Sequence, residues 1–222
     1  MGFVRVGLTN TSASDRRLMC PVCQRPQKTC ICCWVTPVAQ DVPVLILQHP
    51  LEVNNPKGSA RLLHLSLVNS MMLTGEMFEA ADGRYARGRH VLLYPRMPAE
   101  LGLEQQGLPE GFSKPLIEPS LVDDASEIRL VVIDATWRKS RKMLHLNPWL
   151  QKLPRLSLNN PPLSRYRIRK AHQPHQLSTL EATCAALAQL EGNSQKFEPL
   201  LTAFDGFVVQ QMGLARRDRV DG

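Results

Sequence analysis

Between Val42 and Pro50 the chain reads VPVLILQHP, an apolar run closed by proline, which predicts a buried strand. HVLLYP, from His90 to Pro95, and IRLVVIDATW, from Ile128 to Trp137, repeat that pattern. LPRLSL, from Leu153 to Leu158, predicts a fourth, short strand. Helical patterns separate them. After the NNPKG turn, Leu62, Leu65, Val68 and Met72 recur at helical spacing. RKSRKMLHLNPWL predicts a helix behind the third strand, STLEATCAALAQLEG another, and roughly Phe197 to Leu214 a last one. Strands alternating with helices indicate an α/β domain with a mostly parallel sheet. The strands are apolar throughout rather than alternating, so helices are expected on both faces.

The polar stretches divide the chain. Residues 1–14 read as a loose arm, 15–35 as a cysteine-rich knuckle, 36–214 as the main domain and 215–222 as a charged tail. Residues 96–127, rich in Pro, Gly and Glu, read as an insertion. The nineteen residues from Asn159 to Leu177 are long for a simple connection, and loops of that size usually carry function or are disordered.

Charge sharpens the picture. The 222 residues carry a formal net charge of +7. From Arg138 to Gln176 there are ten Lys or Arg and no acid, whereas Ala99 to Glu127 holds seven acids and one Lys. A tract without acids reads better as a phosphate-facing surface than as a solvated face of mixed sign. No apolar run is long enough to span a bilayer, and MGFVRVGLTNTSASDRR lacks the apolar core of a signal peptide, so a cytoplasmic protein is expected.

Five of the six cysteines fall between Cys20 and Cys33. In a reducing compartment such a cluster points to a metal rather than to disulfides. Cys20, Cys23, Cys30 and Cys32 supply four thiolates for a closed, structural zinc site, with Cys33 a spare thiol. Cys184, inside an Ala-rich helix, reads as core.

The chemistry concentrates where the third strand ends. In open parallel sheets, ligands bind at the carboxyl ends of strands, and Asp134 stands at such an end. Asp134 is either an N-cap for the next helix or a general base or ligand-orienting group in the crevice; Thr136 is the alternative cap. Ser178 and Glu181 form a capping box, and the helix they open offers N–H donors and a positive dipole end to an anion. His172 and His175 read as loop histidines. No dinucleotide-binding, Walker A or nucleophile-elbow motif is present.

DATW at 134–137, with CPVCQRPQKTCIC, LQHPLE, LLYP and LSTLEA in that order, resembles the DTW-domain family, the tRNA-uridine aminocarboxypropyltransferases related to the knotted SPOUT methyltransferases. The resemblance covers about Cys20 to Leu190, with Ala135 where Gly is frequent. It implies a SPOUT-like sheet with a C-terminal trefoil knot. It implies transfer of the 3-amino-3-carboxypropyl group of S-adenosylmethionine to N3 of a tRNA uridine, position 47 favoured, with methylthioadenosine leaving.

Carried onto this chain, the resemblance makes Asp134 the catalytic residue. Burial beside Trp137 would raise the Asp134 pKa toward the range a base needs. S-adenosylmethionine would be held by Leu93, Tyr94, Pro95, Thr136, Trp137, Leu156, Tyr166, Arg169, Ser178 and Thr179, with Ser59 lining the same cavity. Arg169 or the Ser178 helix would meet its carboxylate. Arg138, Lys139, Arg141 and Lys142, with Arg165, Arg167 and Lys170, would hold tRNA while one base is splayed into the crevice. The rivals are an RNA methyltransferase on the same fold and a zinc-stabilised RNA-binding protein without catalysis. Oligomeric state stays open.

Overall fold

A computed structural model describes residues 18–79, 89–95, 128–158, 161–166 and 177–217. Five strands form one sheet: β1 (Val44–Gln48), β2 (Ser70–Thr74), β3 (Arg89–Leu93), β4 (Ile128–Asp134) and β5 (Arg155–Leu156). Their order is β2-β1-β4-β3-β5, and every neighbouring pair is parallel. The helices are α1 (Ala60–Ser66), α2 (Trp137–Leu146), α3 (Pro148–Gln151), α4 (Thr179–Glu191) and α5 (Glu198–Arg217).

Period-two alternation sorts each strand onto two cores. Val44 and Ile46 of β1, with Leu130 and Val132 of β4 and Val91 of β3, pack against α1, α4 and α5. Leu45 and Leu47, with Val131 and Leu92, pack on Met143, Leu144 and Leu150 of α2 and α3. A strand covered on both faces reads as a near-continuous apolar run, and all five residues of β1 are buried, four apolar and then Gln48. The α/β sheet with helices on both faces is therefore as the strand patterns predict. The connections that would form the expected knot include 96–127 and 167–176, which lie outside the described residues, as does the 1–14 arm.

Two elements differ from the sequence expectation. The helix after NNPKG ends at Ser66 rather than continuing through Val68 and Met72. Val68 is 70% exposed, and Ser70–Thr74 is a strand. Leu67 turns extended because Val38 captures the backbone on both sides of it: Val38 N donates to Ser66 O and Val68 N to Val38 O. The segment then pairs with β1, from Val44 opposite Ser70 to Gln48 opposite Thr74. Second, the RKSRKMLHLNPWL helix breaks at Asn147. Pro148 disfavours α conformation in the residue before it, and Asn147 sits at φ −125°. Its buried amide donates to Met143 O at 2.7 Å and Glu76 O at 2.8 Å and accepts from Phe78 N at 2.7 Å, tying α2 to the chain leaving β2.

The cysteine-rich segment docks on α5. Trp34 Nε1 donates to Gln210 Oε1 at 2.7 Å, and Gln210 Nε2 donates to Cys30 O at 3.0 Å. The six-membered ring of Trp34 lies directly on Gly206. A Cβ there would overlap the ring, so Gly206→Ala is expected to cost about 1–3 kcal/mol by overpacking despite alanine's better helix propensity. Thermal denaturation of the variant checks this, and an unchanged or raised Tm would contradict it.

Candidate active site and metal centre

A cavity of about 590 Å³ opens at the carboxyl ends of β3, β4 and β5, between the first turns of α2 and α4. That volume is ordinary for a small-molecule site. Leu93, Tyr94, Pro95, Thr136, Trp137, Leu156, Ser178 and Thr179 all line it, so three separate segments of the candidate set converge. Arg138 also lines it. Val132, Ile133, Ala135, Ser140 and Ala182 also line it and were not among the candidates, whereas Ser157, Leu158, Pro161 and Leu177 fall inside the stretch from about Leu156 to Thr179 that the resemblance assigns to the cavity. Val132, Ile133 and Ala135 lie at the end of β4, and Ser140 and Ala182 in the first turns of α2 and α4, so extending the strand-end rule by one turn finds them.

Tyr94 is buried and fixed from three sides. Its hydroxyl lies 3.0 Å from Ser140 Oγ, its ring meets Trp137 edge-on at 5.7 Å, and the buried Arg155 guanidinium sits 5.6 Å from its centroid. Burial pushes the phenol pKa up, so Tyr94 works as a neutral hydrogen-bonding group. Trp137 keeps half its surface exposed at the mouth.

Asp134 ends β4 opposite Gln48 of β1. It is 6% exposed and is not among the residues lining the cavity. Its Oδ2 accepts from Gln48 Nε2 at 2.9 Å, and its Oδ1 accepts from Thr179 Oγ1 at 2.7 Å. The N-cap of α2 is Thr136, not Asp134. Gln48 is a functional candidate that sequence reasoning missed. Its signal was its place at the end of a strand neighbouring Asp134's.

Ser59 and Tyr166 stand behind the cavity rather than in it. Ser59 Oγ accepts from Leu180 N at 3.3 Å, and the Tyr166 hydroxyl donates to Lys57 O while its ring packs on Phe204. Both sides of the capping box are made: Glu181 N donates to Ser178 Oγ, and Ser178 N to Glu181 Oε2 at 2.8 Å. Glu181 also accepts from Arg165 N at 2.6 Å and from Ser164 Oγ, which anchors the incoming loop.

The two helix N-termini at the cavity differ in charge. The α4 end has given Leu180 N to Ser59 and Glu181 N to Ser178, and carries the carboxylates of Glu181 and Asp134 close by. The α2 end has no side-chain cap and no acid in its first turn, and Arg138 is beside it. Opposite edges of the cavity therefore suit opposite charges.

Of the candidate RNA-facing cations, Arg138 and Arg141 are exposed and make no ion pair among the described residues. Lys139 pairs with the buried Glu52 at 2.8 Å and Lys142 with Glu76 at 2.7 Å. His49 Nε2 also meets Glu76, at 2.8 Å. Arg165 pairs with Glu198 and Asp205. Arg167, Arg169, Lys170, His172 and His175 lie outside the described residues.

The Sγ atoms of Cys20, Cys23, Cys30 and Cys32 lie within 4.8 Å of one another, and Cys33 is exposed outside the group. A zinc tetrahedron with bonds of about 2.3 Å has S···S edges of about 3.8 Å. Cys20–Cys32 at 3.6 Å and Cys23–Cys30 at 3.7 Å fit those edges. Without a metal the thiols differ: the backbone N–H groups of Cys23 and Val22 draw Cys20 down to about 6, whereas burial and the neighbouring thiols push Cys32 up to about 12, and Cys30 is raised as well. Cys184 is buried in α4, and burial pushes its thiol up to about 12.

A family model described as the DTW domain matches residues 17–212. A protein of Macaca fascicularis named tRNA-uridine aminocarboxypropyltransferase 2 is 29% identical over 197 residues, 85% of this chain and 61% of that protein. One of the same name from Drosophila melanogaster is 31% identical over 193 residues, 84% of this chain and 72% of its own length. Arabidopsis thaliana has tRNA-uridine aminocarboxypropyltransferase A, 26% identical over 141 residues, 60% of this chain and 52% of that protein. The chain thus spans about three-fifths of the length of the first of these relatives. No solved structure gives a significant match.

Proposed function

Because this chain belongs to the DTW-domain family, we propose that it is a tRNA-uridine aminocarboxypropyltransferase. The donor is S-adenosylmethionine, the acceptor is N3 of a tRNA uridine, position 47 favoured, and methylthioadenosine leaves. The observation that carries this reading is the cavity of about 590 Å³ at the ends of three parallel strands, with the Asp134–Thr179 pair on one side and Arg138 on the other. The names of the relatives support the reaction class.

The charge distribution suits this donor. Its sulfonium and ammonium are attracted toward the edge backed by Asp134 and Glu181, its carboxylate toward the uncapped α2 N-terminus rather than the Ser178 helix, whose Leu180 and Glu181 N–H groups are already taken. Leu93, Pro95, Leu156 and the Tyr94–Trp137 pair supply apolar walls for the rest. The sulfonium bears three electrophilic carbons, so selecting one is a matter of orientation by such walls.

Incubating the purified chain with unmodified tRNA and S-adenosylmethionine, followed by mass spectrometry of nucleosides and leaving group, tests the reading. Aminocarboxypropyluridine with methylthioadenosine supports it. A methylated base with S-adenosylhomocysteine makes it a methyltransferase, and no product from a competent tRNA leaves an RNA-binding protein.

Arg138 and Arg141 are the cations best placed to meet phosphate. Replacing both with Ala is expected to reduce the slope of log K against log salt by roughly 1.4–1.8, and to weaken all tRNAs alike. Lys139→Ala is expected to act differently. It takes the cation away from the buried Glu52 carboxylate, so it lowers Tm more than it lowers the salt slope. Filter binding across a salt series separates the two.

A further inference from the structure

Asp134 stands behind the cavity wall, and Thr179 is the wall. The Asp134 carboxylate is 6% exposed, and both of its oxygens already accept hydrogen bonds. To reach a base in the cavity it would have to give up the 2.7 Å bond from Thr179, whose length is that of a charge-assisted O–H···O⁻ bond. Thr179, at the first position of α4, lines the cavity. Its hydroxyl has one proton, and that proton is spent on Asp134 Oδ1. The lone pairs left on Oγ1 are acceptors, and the N3–H of uridine is a donor.

Resting on the aminocarboxypropyltransferase reading, we infer that Thr179 Oγ1 is the atom that takes the N3 proton, with Asp134 a positioning residue that receives the Thr179 proton and Gln48 the anchor that holds Asp134. The N3–H proton passes to Oγ1 as the Oγ1 proton passes to Asp134 Oδ1. The N3 electron pair forms the new N–C bond to the γ-carbon of the donor's methionine moiety. The C–S bond breaks with its pair remaining on sulfur, and methylthioadenosine leaves neutral. The positive charge lost by the sulfonium is matched by the proton gained at Asp134, which then returns to water through the same hydroxyl.

Gln48 fixes the direction of the relay. Its side-chain amide donates to Oδ2 at 2.9 Å, which leaves Oδ1 for Thr179. The β1–β4 register places Gln48 and Asp134 side by side, and Ser59 fixes the first turn of α4 through Leu180 N.

The test compares Thr179→Val, Thr179→Ser, Asp134→Asn and the Thr179→Val/Asp134→Asn double variant in single-turnover reactions with unmodified tRNA. S-adenosylmethionine affinity is measured beside them by calorimetry. Thr179→Val is expected to slow the reaction about 100-fold or more at saturating S-adenosylmethionine, a loss larger than any change in donor affinity. Thr179→Ser is expected to restore most of the rate. The double variant is expected to be no slower than the slower single one, because both changes cut one relay. Thr179→Ala removes the same hydroxyl without a branched side chain at the helix start, and is the second variant should the valine protein melt early. A Thr179→Val protein at the parent rate, or a double variant whose losses multiply, overturns the inference while the reading of the function stands. A parent protein that makes no aminocarboxypropyluridine overturns both.

Discussion

With zinc held by the four clustered cysteines, its chelation is expected to unfold the segment around residues 18–35 and to lower the Tm of the rest. That segment has almost no core of its own: Cys23 and Ile31 are its only fully buried apolar residues among those described, and its regular structure is two single 3-10 turns and one antiparallel bridge. In peptides of this kind the metal supplies about 10–16 kcal/mol of folding free energy at neutral pH. Cys20→Ser or Cys30→Ser is expected to abolish stoichiometric zinc, whereas Cys33→Ser, outside the cluster, retains it. All four thiols must be deprotonated to bind, so zinc affinity falls as pH falls.

The loss will not stay local. Arg25 donates to Pro56 O at 2.7 Å and to Gly58 O at 2.9 Å. Tyr166 donates to Lys57 O, between those two carbonyls. One turn is thus gripped from the cysteine segment and from the loop that enters α4, and Ser59, next in the chain, holds Leu180 N. Metal removal is therefore expected to weaken donor binding as well. Zinc analysis, circular dichroism and calorimetry before and after chelation check all three. An unchanged Tm after complete chelation would show that the cysteine segment holds without metal.

How much of this was legible in the sequence depends on whether burial left a period to read. β1 and β4 are covered on both faces, so their apolar runs were unmistakable. β2 is an edge strand, half-buried, and its SMMLT carries neither alternation nor β-branched residues beyond Thr74. Met72 also fell in step with Leu62 and Leu65, so the helical period ran on past the true end at Ser66. What stopped the helix was Val38, twenty-eight residues before Ser66, and no local pattern reports a tertiary contact. The site divides the same way. The family resemblance gathered Leu93, Thr136, Leu156 and Thr179 at one cavity, where the strand-end rule had pointed only to Asp134. It did not distinguish wall from backing, which is why Asp134, Ser59 and Tyr166 stand behind the surface they were expected to line. Nor did it separate exposed cations from paired ones, because Glu52 and Glu76, the partners of Lys139 and Lys142, arrive from the ends of two other strands.

The sharpest consequence of that buried arrangement is Gln48→Glu, which replaces a donor to Asp134 by a second carboxylate in the same buried place. Gln48 is 3% exposed and 2.9 Å from Asp134 Oδ2, so the two carboxylates cannot both stay ionised. One must hold a proton. Keeping a proton at pH 7 on a glutamate whose unfolded pKa is about 4.3 costs about 3.7 kcal/mol. Here the folded pKa is raised above the unfolded value, so the penalty is absent below about pH 4 and grows by about 1.4 kcal/mol per unit as pH rises toward the folded pKa. Gln48→Met is the contrast: it loses the hydrogen bond without adding charge, and its cost of about 1–3 kcal/mol does not follow the ionisation of a carboxyl at position 48. Urea melts from pH 5 to 8 are expected to show the Gln48→Glu protein falling away from the parent with rising pH while the Gln48→Met protein runs parallel to it. Parallel curves for both variants would mean that Asp134 does not carry its charge in the folded protein. A carboxylate already sharing a proton is also a poorer acceptor for the Thr179 hydroxyl, so turnover at pH 7 is expected to drop by about 100-fold or more in the Gln48→Glu protein. Because Gln48 is not among the residues that line the cavity, such a drop with donor affinity retained would trace the reaction back through Thr179 and Asp134 to the end of β1.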